Sequence, residues 1–239
     1  MYKVDPNVNT PIDKNLCIWR FIDLTKLLSM LETESLYFCR SDKFYDPFEG
    51  SITKPALEAL KKEVPLPAQK VFHNFKEKAF LNCWHLSEYE SEAMWKLYSK
   101  SNLGIAIKSN IGRFINSFSV EDVYDVFIGT VNYLDYEKEY FNYGNIFCYF
   151  FNKRKSFECE KEIRAMVSLA IENPKRKANE SYDNYGINIK INLNELIENI
   201  FIAPFSPLWY RELIKSILKR YDTKFNVLPS SLDNEPLFW

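Results

Sequence analysis

The run over residues 162–171 constrains this chain more than any other. Ile163, Ala165, Val167, Leu169 and Ile171 recur at every second position, with Arg164, Met166 and Ser168 between them. That is the two-residue period of a β-strand with one apolar face. The residues leading into it are charged: Phe157-Glu158-Cys159-Glu160-Lys161-Glu162-Ile163-Arg164. On an extended segment Glu158, Glu160, Glu162 and Arg164 share one face, which masses acidic charge beside an arginine at the mouth of a strand built for burial. Such an arrangement is costly unless it is used. Two readings stand: a solvated strand entrance with a Glu162/Arg164 network, or a carboxylate that hydrogen-bonds a sugar hydroxyl or steadies developing positive charge.

Around this strand the pattern is one of short strands and irregularly spaced helices. A strand is expected over 16–21, then a helix capped by Asp23 with Leu24, Leu27, Leu28 and Leu31 at helical spacing, then a strand over 36–39. Residues 42–50 hold Pro47 and Gly50 and read as a structured loop. Helical segments over 55–63 and 67–80 suggest an inserted hairpin within 51–80. Strands follow over 80–85, 104–108, 126–136 (with a bulge or turn near Gly129), 186–192, 199–203 and 225–228. Helices follow over 91–100, 193–198 and 207–221, the last opened by Pro207. Residues 136–157, dense in Tyr and Phe, fit helix or a loop packed on the core. This mixture favours an α+β fold, a single domain over 1–239 with a mixed or antiparallel sheet core and inserted helices.

Several function classes are excluded early. Only six glycines occur, each standing alone, against the clustered glycines of phosphate-cradling loops. No Gly-x-Ser-x-Gly nucleophile elbow is present. The five cysteines are odd in number, widely spaced and expected to be reduced, and with only His73 and His85 they offer no zinc spacing, so no metal is expected. Lys+Arg 31 against Asp+Glu 32 leaves a net charge of -1, so a nucleic-acid site would have to be a local patch. The first residues lack a basic-then-apolar signal pattern, and the longest apolar stretch, over 146–151, is far short of the ~20 residues that span a bilayer. A cytoplasmic protein with no membrane partner is expected.

Other residues suited to chemistry lie elsewhere. Arg20, inside the apolar run Ile18-Trp19-Arg20-Phe21, must find an anion if buried. Two partners are open to it: an internal carboxylate such as Asp46 or Glu49, or, together with Arg40, a ligand phosphate or carboxylate that matches the guanidinium fork. Trp95 and Tyr98, three apart on a helix, share a side and fit either the core or a stacking face for a base or nicotinamide. His85, in Cys83-Trp84-His85, fits a satisfied buried histidine or a site residue. Lys153-Arg154-Lys155 and Lys175-Arg176-Lys177 suit either solvated loops or a polyanionic substrate.

Taken together, Trp19-Arg20-Phe21, Leu36-Tyr37-Phe38 through Phe44-Tyr45-Asp46-Pro47-Phe48-Glu49-Gly50, Cys83-Trp84-His85, Met94-Trp95 with Tyr98, Gly104-Ile105-Ala106-Ile107 and Glu160-x-Glu162-x-Arg164 resemble the bacterial and phage family known as domain of unknown function 2971. The likeness runs from about Leu16 to Leu232. A second, weaker resemblance is to the ADP-ribosyltransferase superfamily. There an Arg or His on the first strand grips NAD, a helix leads to a strand bearing Ser, Thr or Tyr, and a Glu stands on a later strand. Arg20, the helix over 23–34, Tyr37 and Glu162 match in order, with Glu160 a rival for the Glu role. The Ser-Thr-Ser run of the arginine-type subgroup is replaced by Tyr37-Phe38-Cys39.

This resemblance implies NAD as substrate, held by Arg20, Tyr37, Arg40, His85, Trp95 and Tyr98, with Glu162 or Glu160 catalytic. The acceptor would be nucleic acid or protein, in a bacterial defence or toxin setting with an antitoxin or defence-system partner. Two alternatives remain at this level: a nuclease holding Mg²⁺ on Asp46, Glu49, Glu160 and Glu162, and a non-catalytic nucleotide-binding sensor.

Overall fold

Alternation of apolar side chains and well-placed caps lay down twelve strands and eight α-helices among the residues that the computed structural model describes, 1–65, 75–99, 102–119, 123–171 and 185–238. The strands begin with β1 (Tyr2–Lys3), β2 (Cys17–Ile22), β3 (Ser35–Arg40), β4 (Ala79–Leu86), β5 (Ile105–Asn110) and β6 (Val126–Thr130). They continue with β7 (Asn132–Leu134), β8 (Asn152–Arg154), β9 (Glu162–Ser168), β10 (Gly186–Lys190), β11 (Asn199–Ile202) and β12 (Asn226–Pro229). The helices are α1 (Leu24–Thr33), α2 (Lys54–Glu63), α3 (Phe75–Lys78), α4 (Glu92–Tyr98), α5 (Ile111–Asn116), α6 (Ile146–Phe150), α7 (Leu193–Leu196) and α8 (Leu208–Arg220). The chain is thus mixed α and β, with both parallel and antiparallel strand pairs. It divides into two units, one of Met1–Pro11, Tyr37–Cys83 and Val120–Ile189, the other of Ile12–Leu36, Trp84–Ser119 and Lys190–Trp239.

In the first unit β9 runs antiparallel to β6, with Ala165 opposite Ile128 and Arg164 opposite Gly129. Strand β1 pairs parallel with β6, and β3 pairs antiparallel with β4 through Cys39 opposite Leu81. Every residue of β9 is buried, so both of its faces are covered, the Arg164 face as well as the apolar one. Gly129 stays inside β6 without a bulge, and a Cβ there would stand 2.5 Å from Val8 Cγ1. The ladder breaks one residue later than Thr130, where the Val131 N–H donates to the Glu162 carbonyl at 3.0 Å, and β7 then pairs parallel with β8. The aromatic stretch over 136–157 resolves into α6, β8 and the start of a 3-10 segment, Lys155–Glu160. Its rings make the core: Phe141, Phe147, Tyr149, Phe150 and Phe151 pack with Phe127, Leu81 and Met166. Of the expected hairpin within 51–80, α2 and α3 are present, and 66–74 lie outside the described residues.

The second unit is built on β5, antiparallel to β2 along six residue pairs and to β11 on its other side. Strand β12 joins β11 in parallel. Asp23 caps α1 by accepting the Lys26 N–H at 2.8 Å, and Leu27 and Leu31 of the leucine stripe are buried. In α8, Tyr210, Ile214 and Leu218 are buried at four-residue spacing, one inward stripe of an amphipathic helix. Trp19, Phe21, Met94, Trp95, Ala106 and Ala203 form a core cluster. Among the described residues no helix is long and apolar enough to cross a membrane.

Candidate functional site

The expected extended segment from Glu158 to Arg164 does not form. Lys155–Glu160 is a 3-10 turn and Lys161 takes a left-handed conformation, φ 40°, so the strand begins only at Glu162. The turn removes Glu158 from the shared face and brings Glu160 and Glu162 to the same cation. Lys153 on β8 donates from Nζ to Glu160 Oε2 at 2.7 Å and to Glu162 Oε1 at 2.6 Å.

Arg164 extends the cluster. One face of a strand carries i and i+2, and Arg164 Nε donates to Glu162 Oε2 at 2.6 Å. Its far edge forks onto Glu49, Nη1 to Oε1 and Nη2 to Oε2 at 3.1 Å, and Nη1 also donates to the Phe150 carbonyl at 2.7 Å. This is bidentate pairing of a planar fork, with the guanidinium wholly buried. Glu49 arrives from the 42–50 loop, which Gly50 closes at φ 64°. At the rim, Arg154 donates to Asp46 from Nη2 at 2.7 Å and lies 4.3 Å over Phe48 and 5.4 Å over Phe157. The Glu162 N–H donates to the Tyr133 hydroxyl at 2.8 Å.

Burial and the carboxylate neighbour drive the two acids apart. Burial first, then a hydrogen bond with Glu162, push Glu160 up to about 7 despite the Lys153 charge. Burial would raise Glu162 too, but the Arg164 charge, the hydrogen bond with Glu160 and the Lys153 charge reverse it and hold it well below the usual carboxylate range. With its proton on, Glu160 leaves the Glu162 and Glu49 carboxylates against the Lys153 and Arg164 cations, a balanced set. Opposed pKa shifts within one site are how a fold separates an acid/base group from a permanently ionised one. Nearby, burial pushes the Cys83 thiol well up, and the Glu162 charge adds to it.

The other expected residues divide between the units. In the first, Tyr37 is part-exposed and lies against Gly186, where a Cβ would come within 2.4 Å of Tyr37 Cζ. Arg40 is engaged by Asp42, from Nε at 2.6 Å and Nη2 at 3.0 Å. In the second, Arg20 holds its guanidinium 5.8 Å over the Trp84 ring. His85 is buried opposite Trp19, and Phe21 packs edge-on against both His85 and Trp95. Trp95 is buried and donates its indole N–H to Glu90 at 3.1 Å, whereas Tyr98 is half exposed, so the two do not share an environment.

Three expectations change. Asp46 and Glu49, offered as partners for Arg20, are taken by Arg154 and Arg164. Of the basic run 153–155, Lys153 and Arg154 are committed to carboxylates, which removes it as a ready-made polyanion patch; 175–177 lies outside the described residues. The proposed Mg²⁺ carboxylates each face a lysine or arginine, and among the described residues no group of three or more His, Cys, Asp or Glu side chains is placed to hold a metal ion. Glu49 is expected beside Glu160 and Glu162 only as a Mg²⁺ ligand, or on Arg20, and Lys153 only in a basic run; their roles as partners of Arg164 and of the two glutamates are not anticipated. Glu49 precedes a turn glycine and Lys153 follows an aromatic run, and neither spacing signals the other.

No family model matches the chain, and no curated protein matches it. Among solved structures, DarT from Thermus sp. 2.9 in complex with NAD+ is similar at a TM-score of 0.42 and 13% identity, with 95% of this chain and 100% of that chain covered.

Proposed function

We propose that this protein is an ADP-ribosyltransferase that uses NAD as substrate and modifies a nucleic acid or protein acceptor in a bacterial defence or toxin role. The observation that carries this reading is the geometry of the two acids at the head of β9: Glu162 bonded by Arg164 and Lys153, each at 2.6 Å, beside Glu160 on the same lysine at 2.7 Å, where burial pushes the Glu160 carboxyl up. The order Arg20, α1, Tyr37, Glu162 adds the resemblance set out above.

In the reaction the bond between ribose C1′ and the nicotinamide nitrogen breaks and nicotinamide leaves with the electron pair. A carboxylate offers about four lone-pair sites; on Glu162, Lys153 and Arg164 take one on each oxygen and the hydrogen bond with Glu160 takes a third. The one left accepts a hydrogen bond from the ribose 2′-hydroxyl, and the fixed negative charge favours the oxocarbenium-like state. The acceptor nucleophile then bonds to C1′, and ionised Glu160 takes its proton. The resemblance assigns NAD contacts to Tyr37 and Arg40 in the first unit and to Arg20, His85, Trp95 and Tyr98 in the second; Arg40 becomes available only once Asp42 is exchanged.

The test is mass spectrometry of nucleic acid and protein from a cell lysate incubated with NAD and the protein, beside Glu162→Gln. An increment of one ADP-ribose that the variant lacks is expected. Absence of any increment with NAD left intact overturns the reading.

A further inference from the structure

Beyond Thr130 the ladder between β6 and β9 changes character. A hydrogen-bonded antiparallel pair exchanges two backbone bonds. Val131 and Glu162 share one: the Val131 N–H donates to the Glu162 carbonyl at 3.0 Å, and the Glu162 N–H turns instead to the Tyr133 hydroxyl at 2.8 Å. A side chain thus takes the place of the Val131 carbonyl at the first residue of β9. Both chains bend here. Lys161 brings its chain into the strand from a left-handed turn, φ 40°, and β7 pairs with β8 in place of β9.

Tyr133 is thereby tied to both members of the central ion pair. On β7 it stands opposite Lys153 of β8, and through its hydroxyl it holds the backbone of Glu162, the acid that Lys153 bonds at 2.6 Å. Burial pushes the Tyr133 phenol well up, so the group stays uncharged and leaves the balance of lysine, arginine and carboxylates beside it untouched. A shift of the Glu162 backbone carries the carboxylate with it. Misplacing a reacting group by about 1 Å costs up to about a hundredfold in rate.

We propose that Tyr133 is a positioning residue for Glu162 in the transfer reaction: its hydroxyl fixes the start of β9, and with it the carboxylate that receives the ribose 2′-hydroxyl, in register with Lys153. The proposal rests on the reaction proposed above. Tyr133 acts through the Glu162 backbone, so its loss lowers the rate of the bound complex and leaves NAD affinity in place.

The experiment compares the parent chain with Tyr133→Phe, which keeps the ring and removes one oxygen, and with Tyr136→Phe. Tyr136 is also a buried tyrosine, and its hydroxyl donates to the Asn152 carbonyl at 3.3 Å. Steady-state transfer, hydrogen exchange at the Glu162 amide and thermal midpoints are measured on all three. Tyr133→Phe is expected to lose about tenfold or more in kcat with KM for NAD changed by no more than about twofold. Its Glu162 amide is expected to exchange about tenfold faster or more, and Tyr136→Phe to keep the parent kcat. An undiminished kcat in Tyr133→Phe, an equal fall in both variants, or an unchanged Glu162 amide overturns the positioning role alone. A parent chain that transfers nothing overturns the reaction itself, and the positioning role with it.

Discussion

Glu49 and Arg164, 115 residues apart in sequence, meet as a two-pronged ion pair with both side chains out of reach of solvent. The pair joins the 42–50 loop to β9 and so fixes the loop that also supplies Asp46 to Arg154. Removing one partner of such a pair strands the other's charge, at a cost of about 3–5 kcal/mol. Arg164→Met is expected to lose stability on that scale in urea unfolding, and Glu49→Gln to lose less because the amide still accepts a hydrogen bond. Equal stability of Arg164→Met and the parent chain would show that the pair contributes nothing net.

The pH response has a defined sign. The folded state keeps a proton on Glu160 up to about 7, where an ordinary glutamate has released it near 4.5. Between those values the folded chain binds more protons than the unfolded one, so this contribution to stability is full at low pH and declines as pH rises to about 7. Glu162 acts oppositely: its contribution is present above the ordinary carboxylate range and is lost as pH falls below it. Thermal midpoints measured across mildly acidic to neutral pH are expected to decline toward neutrality in the parent chain and to decline less in Glu160→Gln. Parallel curves for the two proteins would assign the decline to another group.

If Glu160 takes the acceptor's proton, transfer rises with pH through about 7 as the carboxyl ionises. Glu160→Gln flattens that limb. Glu162→Gln instead lowers kcat by roughly a hundredfold or more at every pH while NAD still binds, the pattern of a lost transition-state interaction. Arg20→Ala weakens NAD binding itself. Steady-state rates across pH and direct NAD titration separate these outcomes.

Gly50 provides a backbone test. It sits at φ 64°, and a Cβ there would fall 2.7 Å from the Phe150 ring. Gly50→Ala therefore meets both left-handed strain and a crowded aromatic, and a loss of about 1–3 kcal/mol is expected from chemical denaturation. Because Glu49 precedes it, the same variant should also loosen the Arg164 fork, seen as faster amide exchange in β9.

What the sequence reveals follows from how local each signal is. Asp23 and the leucines of α1, the alternation of β9 and Pro207 ahead of α8 are each set by residues a few positions apart, and all appear at or near their expected places. Periodicity also identifies Glu162 and Arg164 as neighbours. It fails at Lys161, whose left-handed turn converts an assumed strand into a 3-10 segment, and in 136–157, where aromatic residues satisfy helix, strand and loop alike. Lys153 and Glu49 are brought to the cluster by the tertiary fold, so the sequence offers Glu49 only as a candidate metal ligand or Arg20 partner and Lys153 only as part of a basic run, without the pairings they make.

The seclusion of the Lys153, Arg164, Glu49 and Glu162 side chains also turns ionic strength into a diagnostic. Mobile ions screen charges that water reaches and act far less on groups sealed from it. Added salt should leave these internal pairs nearly unchanged while damping the encounter with any charged substrate. A salt-sensitive rate accompanied by an unmoved melting curve would therefore report on the approach of a partner to the surface, with the interior wiring held constant.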